Sequence, residues 1–181
     1  MKQALILVDI QNDYFPGGRM PLVRMDEASQ NARLLLQRFR QDQLPLVYIQ
    51  HISNRPGATF FLADSEGAAI HQSVTPQPGE TVVQKHFPNS FRETNLLEVL
   101  RSEGVDAVVI CGAMSHMCID ATTRAAFDYG LNCTVVEDAC ATRNLEYRGV
   151  LVEAEKVHAA FMAALAAPYA RIVTAGEFFG E

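Results

Sequence analysis

The sequence predicts a three-layer α/β fold: a doubly wound, six-stranded parallel sheet in the order 3-2-1-4-5-6, with helices on both faces. Two patterns indicate this fold class. Short apolar runs alternate with amphipathic segments along the chain, as in open parallel sheets. The apolar run 105–111 lies between Gly104 and Gly112, which is typical of a strand buried on both faces. The chain has 181 residues without repeats or linkers, so we expect a single domain over residues 1–181.

The first half of the chain contains three of the predicted strands and two helices. Residues 26–41 carry an apolar stripe at helical spacing, which predicts a helix with one buried face. Thr94 can cap a second, shorter helix over residues 95–102. The strands are expected at residues 4–8, 46–49 and 81–84.

Residues 50–79 form a long connection that contains Gly, Pro, Ser and Asn and only scattered apolar residues. An ordered loop of this length inside a compact domain is usually functional. We therefore expect its larger side chains to form part of a pocket wall, namely those of His51, Phe60, Phe61 and His71. For each histidine taken alone, a structural role is the alternative.

The second half of the chain completes the sheet. Strand 105–111 leads through a short loop to a helix over residues 118–129, which Gly130 ends. A long, Ala-rich helix is expected over residues 145–167, ending before Pro168. The two remaining strands are expected at residues 132–136 and 171–173.

Composition argues against several classes of partner. The net charge is −6 and the basic residues do not cluster, so neither nucleic acid nor an anionic membrane is expected to bind. No apolar run approaches the ~20 residues of a membrane-spanning helix, and the N-terminus lacks a signal-peptide cleavage site. The four cysteines show no CxxC spacing. A cytoplasmic protein with reduced thiols is therefore predicted.

Three reactive side chains are predicted to meet at one edge of the sheet. Asp9 ends the first strand and Lys85 ends the third, and neither charge is buried cheaply without a partner. Cys118 begins a helix after the fourth strand, a position that favours a thiolate and can stabilise an oxyanion. The strand order places strands one and four side by side at the topological switch point. We therefore predict a catalytic site there, although Cys118 considered alone is equally compatible with a structural role.

Two other functions compete with catalysis. A nucleotide-binding protein of this fold class would carry a GxGxxG or GxxxxGK[ST] motif after the first strand, and this chain has neither; Asp9 would also repel phosphate. A thiol-based redox or ligand-binding protein that uses Cys118 stays open as the alternative, although no resolving cysteine lies at CxxC spacing. The other three cysteines are expected to be structural: Cys111, Cys133 and Cys140.

Three segments carry a resemblance to a known family: LILVDIQNDYFPGG near the N-terminus, VVQKHFPNSF around the lysine and VVICGAMSHMCIDATTRAAFDYG around the cysteine. Two shorter segments, VVEDACATR and VHAAFMAAL, extend it toward the C-terminus. In their order and spacing these segments resemble the isochorismatase-like cysteine hydrolase superfamily, which includes nicotinamidases and N-carbamoylsarcosine amidase. The resemblance covers nearly the whole chain.

The resemblance implies a catalytic triad of Asp9, Lys85 and Cys118. It also implies an oxyanion hole made by the N–H groups of Met114 and Cys118, with a cis peptide bond between Ala113 and Met114. Such a site would hydrolyse an amide-type bond (amide, lactam or carbamoyl) of a small molecule through a thioester, without a cofactor. A homo-oligomer, either a dimer or a tetramer, is also expected.

The sequence departs from the family pattern at one place that affects the expected metal binding and the expected substrate. Metal-carrying nicotinamidases resemble one another in an Asp-x-His followed by further histidines after the second strand, whereas this chain has VYIQHISNRPG there. His51 and the distant His71 are too few ligands for a stable zinc site, so no metal is expected and nicotinamide is a disfavoured substrate. Isochorismate is also a disfavoured substrate, because cleavage of its vinyl ether does not require the thiol that this chain carries. Six side chains are predicted to contact the substrate: Phe15, Leu22, His51, Phe87, Phe91 and His116.

Overall fold

Six parallel strands form the central sheet in the computed structural model, which describes residues 1–180. Their order is β3-β2-β1-β4-β5-β8, so the predicted order 3-2-1-4-5-6 is confirmed, β8 being the sixth strand of this sheet. The strands are β1 (Gln3–Val8), β2 (Leu46–His51), β3 (Thr81–Lys85), β4 (Ala107–Ala113), β5 (Asn132–Ala141) and β8 (Arg171–Val173).

Helices cover both faces of this sheet. On one face, Leu5 and Leu7 of β1 pack in the same apolar cluster as helix α1 (Met25–Gln41) and helix α5 (Ala175–Phe179). On the other, Ala4, Ile6 and Val8 share a cluster with the remaining helices. These are α2 (Leu96–Ser102), α3 (Asp120–Asp128) and α4 (Ala154–Leu165). The alternation along β1 is that of a strand buried on both faces.

The register aligns the strand ends that carry the reactive residues. Val8 pairs with Ile49 of β2 on one side and with Gly112 of β4 on the other. Gly112 has φ +125°, and a Cβ atom there would lie 2.0 Å from the carbonyl oxygen of Val8. Only glycine therefore allows β1 and β4 to approach this closely just before Asp9.

The predicted helix over residues 145–167 is wrong in its first part. Residues Leu145–Tyr147 (β6) and Val150–Val152 (β7) form an antiparallel hairpin outside the main sheet, and α4 begins only at Ala154. Arg148 and Gly149 connect the two strands with φ values of 51° and 79°, the pattern of a tight hairpin turn. Two consecutive residues with positive φ are incompatible with a right-handed helix.

Two further boundaries differ from the prediction. Strand β5 continues to Ala141, five residues beyond its predicted end at residue 136. Helix α3 starts at Asp120 rather than at Cys118, which lies in a single π-helical turn, Ser115–Ile119. No helix in the part of the chain described is long and apolar enough to cross a membrane.

Two buried polar side chains of the segment that follows β1 form hydrogen bonds with the long connection after β2. The Gln11 Nε2 group donates to the carbonyl oxygens of His51 at 2.9 Å and Ala68 at 2.8 Å. The Asp13 carboxylate accepts a hydrogen bond from the Phe61 N–H at 2.7 Å. These bonds satisfy backbone groups that would otherwise be buried without partners, and they fix the connection beside the end of β1.

Candidate active site

Asp9, Lys85 and Cys118 come together at the carboxyl edge of the sheet. Asp9 and Lys85 are completely buried and Cys118 is 2% exposed. The Lys85 Nζ atom lies 2.9 Å from Asp9 Oδ2. The Cys118 Sγ atom, an oxygen of Asp9 and a ring nitrogen of His51 all lie within 4.8 Å of one another. Three side chains that are distant in the sequence thus form one cluster beside β1.

The Lys85 ammonium group is oriented by neighbours other than Asp9. Its Nζ donates to the carbonyl oxygen of Pro88 at 2.9 Å and to Ser90 Oγ at 3.3 Å. Ser90 Oγ in turn hydrogen-bonds Thr122 Oγ1 of α3 at 2.8 Å. The same ammonium forms the ion pair with Asp9 Oδ2 at 2.9 Å. Lys85 is therefore held by Asp9 on one side and by Pro88 and Ser90 on the other.

Both members of the buried ion pair are charged. Burial alone would raise the pKa of Asp9, but the nearby Lys85 ammonium, with His51 and Cys118, brings that pKa below its usual value. Burial would lower the pKa of Lys85, and the charges of Asp9 and Cys118 outweigh this and raise it. The Lys85 ammonium thus favours the ionised carboxylate, and the Asp9 carboxylate favours the protonated amine.

Cys118 is a neutral thiol at neutral pH. Burial, followed by the Asp9 carboxylate, raises its pKa to about 12, and the opposing effect of Lys85 is smaller. The expectation that a helix N-terminus favours a thiolate here is therefore wrong for the resting protein. The physical reason is first the burial of the thiol and then the charge of the Asp9 carboxylate beside it. Cys118 also lies inside the π-helical turn, two residues before α3 begins.

The peptide bond between Ala113 and Met114 is cis. It lies immediately before the π-helical turn: Met114 precedes the turn and Cys118 lies within it. Whether their N–H groups form an oxyanion hole stays a prediction.

The six predicted substrate contacts occupy different environments. Phe15 and Leu22 share an apolar cluster with Met114, and His51 Nδ1 lies 3.9 Å from Asp9 Oδ2. His51 therefore lies against the reactive cluster, and the contact of Phe15 and Leu22 with substrate stays a prediction.

The other three are engaged elsewhere. Phe91 packs against Tyr129, with ring centroids 5.2 Å apart, and the ring of Phe87 lies beneath the guanidinium of Arg92 at 3.6 Å. The ring of His116 is held by Thr142, as described below. Their roles in binding remain predictions.

The comparisons with known proteins agree with this geometry. A profile of the isochorismatase domain matches residues 3–177. The chain belongs to the isochorismatase family. One relative is the isochorismatase family protein YddQ of Bacillus subtilis (strain 168), 51% identical over 178 residues that cover 98% of this chain and 99% of that protein. Another is streptothricin hydrolase of Streptomyces noursei, 33% identical over 146 residues, which cover 79% of this chain and 51% of that protein.

Solved structures place this isochorismatase-family chain among close structural neighbours. The structure of an isochorismatase hydrolase from Oleispira antarctica has a TM-score of 0.95 and 49% identity, covering 99% of this chain and 97% of that one. N-carbamoylsarcosine amidase from Thermoplasma acidophilum has a TM-score of 0.82 and 26% identity, covering 97% of each chain.

In this isochorismatase-family site, two residues were not singled out by the sequence analysis: Tyr14, whose pKa is affected by the Cys118 thiol, and Arg143, two residues after the end of β5. Tyr14 is 1% exposed; burial, then the charges of Cys118 and Asp9, raise its pKa well above the usual value. Arg143 is exposed, yet its charge acts to lower the pKa values of both Tyr14 and His116. A cation directly after the end of β5 was the available signal for Arg143, whereas nothing in the local sequence distinguishes Tyr14 from a core tyrosine.

Aromatic rings from the long connection surround the segment that follows β1. The Phe61 ring meets Tyr14 edge-on with centroids 4.6 Å apart, and Phe60 lies 6.0 Å from Tyr14. His71 stacks on Phe15 with centroids 3.5 Å apart and an interplanar angle of 12°. Three of the residues predicted to form a pocket wall therefore pack around the segment that follows β1: Phe60, Phe61 and His71.

Asp9, His51 and Cys118 together offer the three donor types that zinc accepts. Two features disfavour a cation among them. The Lys85 ammonium lies against the Asp9 carboxylate, and a dication would have to displace or tolerate that positive charge. His71 does not add a fourth ligand, since among the described residues only Asp9, His51 and Cys118 have donor atoms that converge within 4.8 Å at this cluster. The absence of a metal from the reaction stays a prediction.

Proposed function

We propose that this chain is a cysteine hydrolase that cleaves an amide-type C–N bond (amide, lactam or carbamoyl) of a small molecule through a thioester. The observation that carries the proposal is the fully buried ion pair of Asp9 and Lys85 beside the Cys118 thiol. The names of two relatives support the reaction class, because streptothricin hydrolase and N-carbamoylsarcosine amidase are both named as hydrolytic enzymes.

In the acylation step, Asp9 accepts the thiol proton as Cys118 Sγ bonds to the substrate carbonyl carbon. The electron pair of the C=O π bond moves to oxygen, and the N–H groups of Met114 and Cys118 hold that oxyanion. Each such donor contributes on the order of 2.7–4 kcal/mol. The C–N bond then breaks, Asp9 returns the proton to the leaving nitrogen, and the acyl group stays on sulfur.

Deacylation reverses the roles with water. Asp9 accepts a proton from the water as its oxygen bonds to the thioester carbon, the C–S bond breaks, and the sulfur regains a proton. Lys85 remains protonated throughout and keeps the carboxylate charged and oriented. A thiol with a pKa of about 12 needs this base, because the uncatalysed fraction of thiolate at neutral pH would be very small.

We propose further that the substrate carries a carboxylate or another anionic group. Arg143 is exposed and forms no salt bridge with the described residues, and it directly follows Thr142, whose Oγ1 bonds the ring of His116 in the turn that carries Cys118. A guanidinium in this position can bind a carboxylate with two parallel hydrogen bonds. Arg143→Leu should then raise KM for an anionic substrate much more than for its neutral methyl ester, whereas an equal change for both would contradict this part of the proposal.

The test of the reaction class is a screen of purified protein against small amides, carbamoyl compounds and lactams for release of ammonia or amine. Cys118→Ala should abolish release, and Cys133→Ala, which removes a different buried thiol, should leave it unchanged. Mass spectrometry of quenched reactions should find the acyl adduct on Cys118. Turnover that survives in Cys118→Ala would contradict the thioester route, and an oxidised Cys118 in place of an acylated one would favour the thiol redox alternative.

Assembly and location are also proposals. The chain is predicted to form a homo-oligomer, a dimer or a tetramer, in the cytoplasm. Light scattering coupled to size-exclusion chromatography measures the first directly, since a mass of 20.0 kDa is that of one chain.

A further inference from the structure

Two side-chain hydrogen bonds connect the turn that carries Cys118, Ser115–Ile119, to neighbouring elements of the fold. Ser115 Oγ lies 2.8 Å from His158 Nδ1 of α4, and His116 Nδ1 lies 2.6 Å from Oγ1 of Thr142, which follows β5. Ser115 and Thr142 are almost completely buried. Both bonds are therefore partly shielded from water, and a hydrogen bond in such surroundings is harder to replace with one to solvent.

The backbone of this turn is closed by hydrogen bonds to one carbonyl group that precedes it. It is a single π-helical turn, in which the N–H groups of Met117 and Ile119 both donate to the carbonyl oxygen of Met114, at 3.0 and 3.2 Å. Ser115 directly follows Met114, and Cys118 lies three residues further on. Anything that fixes the Ser115 and His116 side chains thus fixes the thiol and the Met114 N–H relative to β5 and α4.

The two anchoring residues reach the turn from outside the reactive cluster. His158 and Thr142 line a cavity of about 370 Å³ between the start of α1, the end of β5 and the start of α4, and the lining includes none of the three residues of the buried cluster. Phe161 of α4 also lies edge-on to the His116 ring, with centroids 6.0 Å apart. Helix α4 therefore supports the turn at two points.

Either protonation pattern of the imidazole preserves the contact with Ser115. Burial lowers the pKa of His158, which favours the neutral ring with one donor and one acceptor nitrogen. Ser115 can donate to Nδ1, or it can accept from Nδ1–H and direct its own proton to the Ala141 carbonyl oxygen at 3.4 Å. The bond orients the turn in both cases.

We propose that His158 and Thr142 are positioning residues for the hydrolytic reaction, holding the Ser115–Ile119 turn so that the thiol and the Met114 N–H meet one substrate carbonyl. This inference rests on the proposed function. Misplacing a reacting group by about 1 Å can cost on the order of 10²-fold in rate, and neither residue needs to touch the substrate to have this effect.

The experiment uses pairs of variants that differ in one hydrogen-bonding atom. His158→Asn keeps a polar atom near the position of Nδ1, whereas His158→Ala removes it. Thr142→Ser keeps the hydroxyl, whereas Thr142→Val keeps the shape and removes it. We expect kcat to fall roughly 10- to 100-fold in His158→Ala and Thr142→Val with KM changed by less than about threefold. His158→Asn and Thr142→Ser should regain most of the loss.

A second measurement does not depend on turnover. Hydrogen exchange of the amides in residues 114–119 should speed up in His158→Ala and in Ser115→Ala, by similar amounts and without addition in the double variant. Unchanged exchange, a loss of activity confined to KM, or equal losses in His158→Asn and His158→Ala would overturn the inference. These outcomes are distinct from failure of the proposed function, which is shown by a parent protein whose Cys118 is never acylated.

Discussion

Lys85 Nζ lies 2.9 Å from Asp9 Oδ2, and neither side chain has any exposure to solvent. Removing one ion from such a pair leaves the other buried without a partner, which costs about 3–5 kcal/mol. Replacing both with uncharged groups restores part of that loss. The pair therefore links the stability of the fold to the reactivity of the adjacent thiol.

Asp9→Asn and Lys85→Met are each expected to destabilise the fold by about 3–5 kcal/mol, and the double variant by less than the sum. Turnover should fall on the order of 10²–10⁴-fold in Asp9→Asn, because the proton acceptor is lost, and the double variant should not recover it. Urea unfolding and steady-state kinetics measure the two effects. Lys2→Met, which breaks an exposed pair with Glu103, is the control and should change stability little. Strictly additive losses would show that the two ions do not act together.

The pH dependence of kcat/KM should be flat through neutral pH. The pKa of Asp9 is lowered, so the base stays ionised until the pH falls below the ordinary carboxyl value of 3.8. The same lowered pKa means that the stability contributed by this carboxylate is present above that value and is lost as the pH falls through the folded-state pKa. Activity and fold should consequently be lost together in acid. A separate limb between pH 5 and 8 would point to a histidine as the proton acceptor.

Alkylation of Cys118 by iodoacetamide should be slow at pH 7 and should accelerate about tenfold for each pH unit up to about pH 10. The reason is that only the thiolate reacts and the pKa of this thiol is about 12. Peptide mapping separates it from Cys133, whose pKa of about 11 also lies in the alkaline range. A labelling rate that does not vary below pH 8 would indicate a preformed thiolate and would contradict the neutral resting state.

Activity should survive dialysis against a strong chelator, and the dialysed protein should need no added divalent ion. The physical reason is that the Lys85 ammonium already forms an ion pair with the Asp9 carboxylate and would repel a dication bound beside it. Elemental analysis before and after dialysis accompanies the kinetic assay. If turnover is lost on dialysis and only zinc or another divalent ion restores it, this prediction is contradicted.

Gly112→Ala should destabilise the fold by more than about 3 kcal/mol, at the upper end for single substitutions, because its Cβ would lie 2.0 Å from the Val8 carbonyl oxygen. Gly130→Ala is the matched control. Its φ is also positive, at +84°, but nothing lies within 4 Å of the added atom, so only the backbone cost of about 1–2 kcal/mol applies. Thermal unfolding compares the two. Equal losses would mean that β1 and β4 separate without difficulty.

The sequence by itself determined the fold class and the identity of the buried cluster. Apolar runs and amphipathic segments each record which face of an element is buried, and their alternation is sufficient to predict a parallel sheet. Because parallel strands end at the same edge, Asp9 and Lys85 could be assigned to one site with Cys118 before any contact was known.

The tertiary structure decided what depends on interactions through space. The thiol of Cys118 is neutral because of its burial and the nearby Asp9 carboxylate, and neither is encoded next to it in the chain. Residues 145–152 form a hairpin in which the two turn residues adopt positive φ values. The composition of this segment resembles that of a helix, so the sequence alone did not predict the turn. The partnership of Ser115 with His158 joins two elements far apart in sequence. Desolvation, Coulomb interactions and packing between elements depend on three-dimensional distances, so local patterns could not specify them.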